Sequence, residues 1–419
     1  MVAISYPLSS LYHLLSFIFH FKNGLVLLAE EMEWCESVSY SLLVPGGSND
    51  DPADLPGLAN FTCEMITRGA GGLDNRGLSD AFENLGSERS EAVSQTHTSY
   101  SAQTLASHFF PTLELTAKMV RQPHLNGKQI EAARQVILQE IIAIEDEPSS
   151  KMMIELARNF FPDPWGKPSC GEIPGVEKIT VPHVRDFHRR WYQSDGAILS
   201  VAGKFDTEAL LVKVEELFGD WQPQTHPAPA ETVQGCQYVH IPYESNQTHL
   251  GVAFSAVPLD HPDYLAAWCG VNAISGGVSG RLFTELREKR GLCYAISASY
   301  LTLARRGCVF CYCGSTAARA KESLEVLLEE LQKLKEGITE EELHRVVVRA
   351  KYSLVTQQES TSSRSAAMAR DWYHLGRIRT KEEIEQGLTS LTAERINAYW
   401  GSQPVAPFYI VSLGPEPVL

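Results

Sequence analysis

Four apolar residues recur in this chain at a fixed distance: Leu343, Val346, Ala350 and Leu354 follow Ile130, Ala133, Ile137 and Ile141 by 213 positions (343 − 130). Each set lies along one face of a long helix at the 3.6-residue period. Because any amphipathic helix has such spacing, the weight falls on the surrounding order of elements. Two strands, a helix, a glycine-containing stretch, further extended segments and another helix precede each long helix. That repeat predicts a duplicated α+β domain. The length agrees, since 419 residues exceed what one hydrophobic core usually serves.

The first copy is expected over residues 23–221. GLVLLAEEM and SVSYSLLVPGG predict strands, followed by helices over 55–67 and 77–85. Residues 90–104 alternate polar and small side chains and predict one strand with little core on one side, a template for an extended peptide. Pro223, Pro227 and Pro229 mark residues 222–237 as a linker, and 238–419 forms the second copy. Residues 1–22 include SLYHLLSFIFHF, which lacks the leading cation of a signal peptide and is short for a membrane span. They are expected to be a poorly defined segment, with a membrane anchor as the lesser alternative.

Thirty-six Lys+Arg against 51 Asp+Glu, a net charge of −15, argue against binding a phosphate backbone, so no nucleic-acid partner is expected. Nine cysteines without framework spacing point to a reducing compartment and a cytoplasmic location. Cys308, Cys311 and Cys313 fall in one predicted strand, where Cys311 and Cys313 share a face and Cys308 takes the other. They cannot converge on one ion, and buried thiols are the simpler reading.

The most specific stretch is Gly276 to Tyr294, GGVSGRLFTELREKRGLCY. A glycine loop opens a helix that stops at Gly291, and a strand follows from Cys293. RLFTELREKRGLCY resembles the glycine-rich loop and Arg/Tyr segment in the second domain of the pitrilysin/insulinase metallopeptidases, the group that includes mitochondrial processing peptidase. WGKP, FHRRWY and LSVAGKFD resemble parts of the same family's first domain, so the likeness runs from about Asn23 onward. It implies a clamshell of two homologous α+β domains, each a mixed or antiparallel sheet covered by helices. It also implies that Arg287 and Tyr294, seven residues apart (294 − 287), hold and polarise a scissile carbonyl. Gly276, Gly277 and Gly280 of the loop, with Ser94 and Thr96 on the strand expected at 90–104, are the implied peptide contacts.

Active members of that family carry His-x-x-Glu-His on the first helix of the first domain, with two zinc-binding imidazoles on one face and a glutamate base between them. The corresponding stretch here is GLANFTCEMITRG, which places Asn60, Cys63 and Glu64 at those positions. Glu140, 76 residues beyond Glu64 (140 − 64), stands where the family's distal glutamate ligand is found. A neutral amide is a poor zinc ligand and no base remains, so no metal is expected in this chain. In the two-subunit branch of the family one chain supplies the zinc motif and another the glycine loop and Arg/Tyr pair, and this sequence resembles the second kind. The expectation is a non-catalytic, substrate-binding subunit of a heterodimeric zinc endopeptidase, with zinc in the partner and an extended peptide as substrate. The alternative is a structural or peptide-binding pseudopeptidase.

Overall fold

The structure is a computed structural model that describes residues 16–226, 230–232, 235–303 and 305–419. The described residues form two compact units, one drawn from 1–143, 167–231 and 357–373, the other from 144–166, 232–356 and 374–419.

In the first unit, β1 (Ser16–His20), β2 (Val26–Glu31), β3 (Ser37–Pro45), β6 (Glu88–Val93), β7 (His97–Leu105) and β8 (Ile198–Gly203) form a sheet in the order β1-β2-β8-β3-β7-β6. A separate two-stranded hairpin joins β4 (Gly69–Ala70) to β5 (Leu73–Asp74). In the second unit, β9 (Tyr238–Pro242), β10 (Gln247–Ala256), β11 (Cys293–Leu303), β12 (Arg306–Thr316) and β13 (Tyr409–Gly414) run β11-β12-β10-β13-β9. The five strands β2, β8, β3, β7 and β6 of the first sheet match β9, β13, β10, β12 and β11 of the second in order and direction. β2 lies parallel to β8 as β9 does to β13, while β8-β3-β7-β6 and β13-β10-β12-β11 are antiparallel throughout. The duplicated α+β domain expected from the sequence is therefore present, with β1 added to the first copy.

The repeat has one feature that contiguous halves 23–221 and 238–419 do not anticipate. Helix Pro148–Phe160 and helix Thr361–Leu375 begin 213 residues apart (361 − 148), yet the first belongs to the second unit and nearly all of the other to the first. Met152, Leu156 and Phe160 pack with Ala253, Phe310 and Val411 of the second sheet. Cys308 lies in that cluster, whereas Cys311 and Cys313 lie in the cluster on the opposite face, as their alternation requires.

The first sheet meets its exchanged helix through small polar groups. Along β3, Val38, Tyr40, Leu42 and Val44 are buried, and the Tyr40 hydroxyl lies 2.6 Å from Thr116 Oγ1 of helix Phe109–Arg121. On the other face Ser39 Oγ sits 2.8 Å from Thr361 Oγ1. Beside them Glu30, fully buried, accepts from Arg364 Nε and Nη2 at 2.5 and 2.6 Å and from Ser16 Oγ of β1. Breaking such a pair strands a charge out of water, at a cost of about 3–5 kcal/mol. Arg364→Met is expected to lower the unfolding midpoint sharply. Adding Glu30→Met should recover most of the loss, and a thermal melt of both variants checks this.

Two expectations change. Residues 16–20 of the expected N-terminal segment form β1, paired with β2 from Ser16↔Glu30 to His20↔Val26, while residues 1–15 lie outside the described residues. Residues 90–104 are not one strand but most of the β6–β7 hairpin. The Ser94 hydroxyl bonds both the N–H and the carbonyl of His97 and so closes the turn. Among the described residues no helix is long and apolar enough to cross a membrane.

Candidate functional site

Helix Leu58–Ile66 carries the three positions where a zinc motif would stand. Its start is fixed by Gly57, whose φ of +102° is left-handed, and by the Asp51 carboxylate, which accepts from Gly57 N and Ala59 N at 2.6 and 2.7 Å. Asn60 and Glu64, four residues apart, are partly exposed on one side, and Cys63 is buried.

The structure brings Asn60 and Glu140 together. Asn60 Nδ2 donates to Glu140 Oε2 at 3.1 Å, so the alignment that singled out both positions is spatially consistent. Glu64 turns elsewhere: its Oε1 accepts from Arg68 Nε and Nη2 at 2.8 and 2.5 Å, with Arg68 largely buried. Burial pushes the Cys63 thiol up to about 12, despite a hydrogen bond with Tyr100, and nearby Glu91, Glu64 and Glu140 act in the same direction as burial. Tyr100 in turn shares a hydrogen bond of 2.8 Å with Tyr192.

These residues do not fit zinc. The neutral amide is a weak zinc ligand, the thiol stays neutral, and the second ligand position is neutralised by a guanidinium. Among the described residues no group of three or more His, Cys, Asp or Glu could hold a metal ion. Arg68 was not singled out from the sequence, although a cation four residues after Glu64 is the spacing of a helical ion pair.

The second unit holds the glycine loop. Gly276 ends helix Tyr264–Ser275, and a Cβ there would overlap Arg349 Nη2 at 1.7 Å, because that guanidinium lies across the loop and donates to Asn272 O at 3.1 Å. Gly277 has a φ of +85°, and Gly280 N returns to Gly277 O at 3.0 Å. A π-helical turn, Phe283–Glu288, follows, and Gly291 ends it in the left-handed conformation. Arg287 is exposed on this turn with its guanidinium 4.9 Å from the Phe283 ring centroid. Its neighbours Lys289 and Arg290 face Glu285 at 2.6 and 3.9 Å, whereas no carboxylate among the described residues pairs with Arg287.

Tyr294 occupies a bulge at the start of β11, between Cys293, opposite Ser315, and Ala295, opposite Gly314. Such a bulge re-aims the side chain it carries. The Tyr294 ring crosses Gly314, where a Cβ would come within 2.6 Å of it, and its hydroxyl is 3.1 Å from that of Tyr312. Cys293 is held below its usual thiol range by the neighbouring Cys313 and, more weakly, by the Arg287 charge, against its burial.

Ser94 and Thr96, expected on a strand, instead lie in the β6–β7 turn. Thr96 Oγ1 is 2.9 Å from His97 Nδ1, and Ser94 O accepts from Ser48 N at 3.0 Å. The Ser94 hydroxyl thus holds the turn itself, and that of Thr96 bonds within it and to Tyr373. The outer strands of the two sheets are β6 and β11 on these sides.

Comparison with known proteins gives the same assignment for both halves. The sequence matches the profile of Insulinase (Peptidase family M16) over residues 26–167 and that of the Peptidase M16 inactive domain over residues 178–348. An uncharacterized zinc protease of Rickettsia felis is 27% identical over 383 residues, covering 90% of this chain and 92% of that protein. One from Bacillus subtilis is 24% identical over 379 residues, with 90% and 92% covered. Among solved structures, a peptidase M16 inactive domain from Pseudomonas fluorescens has the same fold with a TM-score of 0.88 at 21% identity, covering 96% of this chain and 98% of that one. A chain of complex III2 from Candida albicans gives 0.80 at 15% identity, with 95% of each covered. Matched along both copies of its repeat, in sequence and in fold, the chain belongs to the insulinase (M16) peptidase family.

Proposed function

We propose that this chain is a non-catalytic, substrate-binding subunit of a heterodimeric zinc metalloendopeptidase that acts on peptides or unfolded protein segments. The partner is a homologous chain that carries an intact His-x-x-Glu-His motif and its zinc. One contrast carries the reading: at the zinc positions Asn60 is tied to Glu140, Glu64 to Arg68 and Cys63 is buried, while Arg287 and Tyr294 are exposed and held by their neighbours, with no carboxylate among the described residues on the guanidinium. An extended peptide adds as a strand along an outer edge, β6 or β11, and the Arg287 and Tyr294 donors face its carbonyl. The same reading places the protein in the cytoplasm, supported by nine free thiols.

Mixing this chain with such a partner is expected to produce cleavage of a quenched-fluorescence unfolded peptide that neither chain gives alone. A partner that cleaves equally fast without this chain contradicts the proposal and favours a structural role.

A further inference from the structure

Tyr294 does not end its hydrogen bonding at Tyr312. The Tyr312 hydroxyl is also 2.9 Å from His249 Nδ1, so three side chains on the adjacent strands β11, β12 and β10 form one chain of contacts. Gly314 makes room for it, since it stands opposite His249 on one side and Ala295 on the other, and a side chain there would strike the Tyr294 ring. His249 is buried at 5% exposure, while Tyr294 at 47% is open to solvent. The chain therefore leads from the interior to the surface.

A hydroxyl has a single proton to donate, which gives the chain a direction. If His249 bears its proton on Nδ1, it donates to Tyr312, Tyr312 donates to Tyr294, and the Tyr294 proton is left to point outward. With the proton on Nε2 every bond reverses, and Tyr294 presents only lone pairs to a ligand. Burial holds His249 below the usual histidine range, against the pull of Glu147, so at neutral pH it is the neutral imidazole and its tautomer decides. Burial first, and then Tyr294, keep the Tyr312 hydroxyl protonated.

We infer that His249, as its Nδ1–H tautomer, and Tyr312 are positioning residues that aim the Tyr294 hydroxyl proton at a peptide carbonyl. This rests on the function proposed above, in which Tyr294 acts as a donor. A carbonyl offers only lone pairs, and a Tyr294 facing it with lone pairs would repel it.

The test uses the two-chain complex with the same quenched-fluorescence peptide, together with NMR of the isolated full chain labelled with 15N-histidine. Tyr312→Phe is expected to lower kcat on the order of tenfold with KM unchanged, as loss of one orienting hydrogen bond implies. His249→Asn, which returns an N–H donor at the Nδ1 position, should stay close to wild type, whereas His249→Leu should match Tyr312→Phe. Long-range 1H–15N correlations should assign His249 as the Nδ1–H tautomer in the unmodified chain, a readout that no folding defect affects. An impaired Tyr294→Phe with an unimpaired Tyr312→Phe overturns the relay and leaves the proposed function standing. An unimpaired Tyr294→Phe overturns the donor role and the relay with it. An Nε2–H tautomer overturns the relay whatever the kinetics.

Discussion

Replacing Asn60, Cys63 and Glu64 by His, Glu and His is expected to create a weak zinc site, and adding Arg68→Ala to strengthen it by roughly 10- to 100-fold. The three changes put two imidazoles on one face of helix Leu58–Ile66, and Glu140 already lies against position 60. Arg68 does not fit the restored site. Its guanidinium, whose Nε and Nη2 both donate to Glu64 Oε1, would keep its charge beside the incoming ion once its carboxylate is gone. At an effective dielectric near 20, a unit charge about 5 Å from a divalent cation opposes it by about 7 kcal/mol, a figure reduced by whatever distance the flexible side chain can retreat. Glu140→Gln in the fourfold variant should weaken binding again. Competition with a zinc chelator measures all three steps. Equal affinity for the triple and fourfold variants would show that Arg68 swings clear, and affinity no better than the parent chain would show that the helix has been misaligned.

The second large effect concerns turnover. In the two-chain complex, Arg287→Ala or Tyr294→Phe is expected to reduce kcat by about 100- to 1000-fold, the usual cost of removing a donor to a developing oxyanion. KM and complex formation should change little, because a donor aimed at the transition state binds the ground state no better than water does. Arg287 has no carboxylate to lose among the described residues, and its contact with Phe283 is a surface one, so Arg287→Ala should leave stability nearly intact. Steady-state kinetics on the unfolded peptide decide the matter. Turnover unchanged in both variants would make the pair a passive part of the surface.

Much of this was legible in the sequence because the signals were periodic or local. The 213-residue repeat gave the duplicated domain, which the two sheets repeat strand for strand. Thr339 and Glu342 predict a capping box, and the structure closes it with bonds of 2.8 and 3.2 Å. The alternation of Cys308 against Cys311 and Cys313 placed them correctly on two faces. What escaped depends on partners distant in the chain. Nothing in PSSKMMIELARNF tells which sheet its apolar face will cover, since both copies of the repeat offer one. The 90–104 stretch hid a turn because Ser94, Gln95 and Thr96 continue its polar pattern without a glycine or proline. Asn60 and Glu140, both read from an aligned family motif, lie within hydrogen-bond distance of each other. Tyr312 and His249 carry no such motif, and only the pairing of β10, β12 and β11 sets them behind Tyr294.

Elemental analysis of the purified chain, after dialysis against micromolar zinc, most directly tests whether it lacks a metal centre of its own. The expected result is no stoichiometric zinc, because Asn60, Cys63 and Glu64 are committed to Glu140, the buried interior and Arg68. One tightly held zinc per chain, lost on Glu64→Ala, would contradict it.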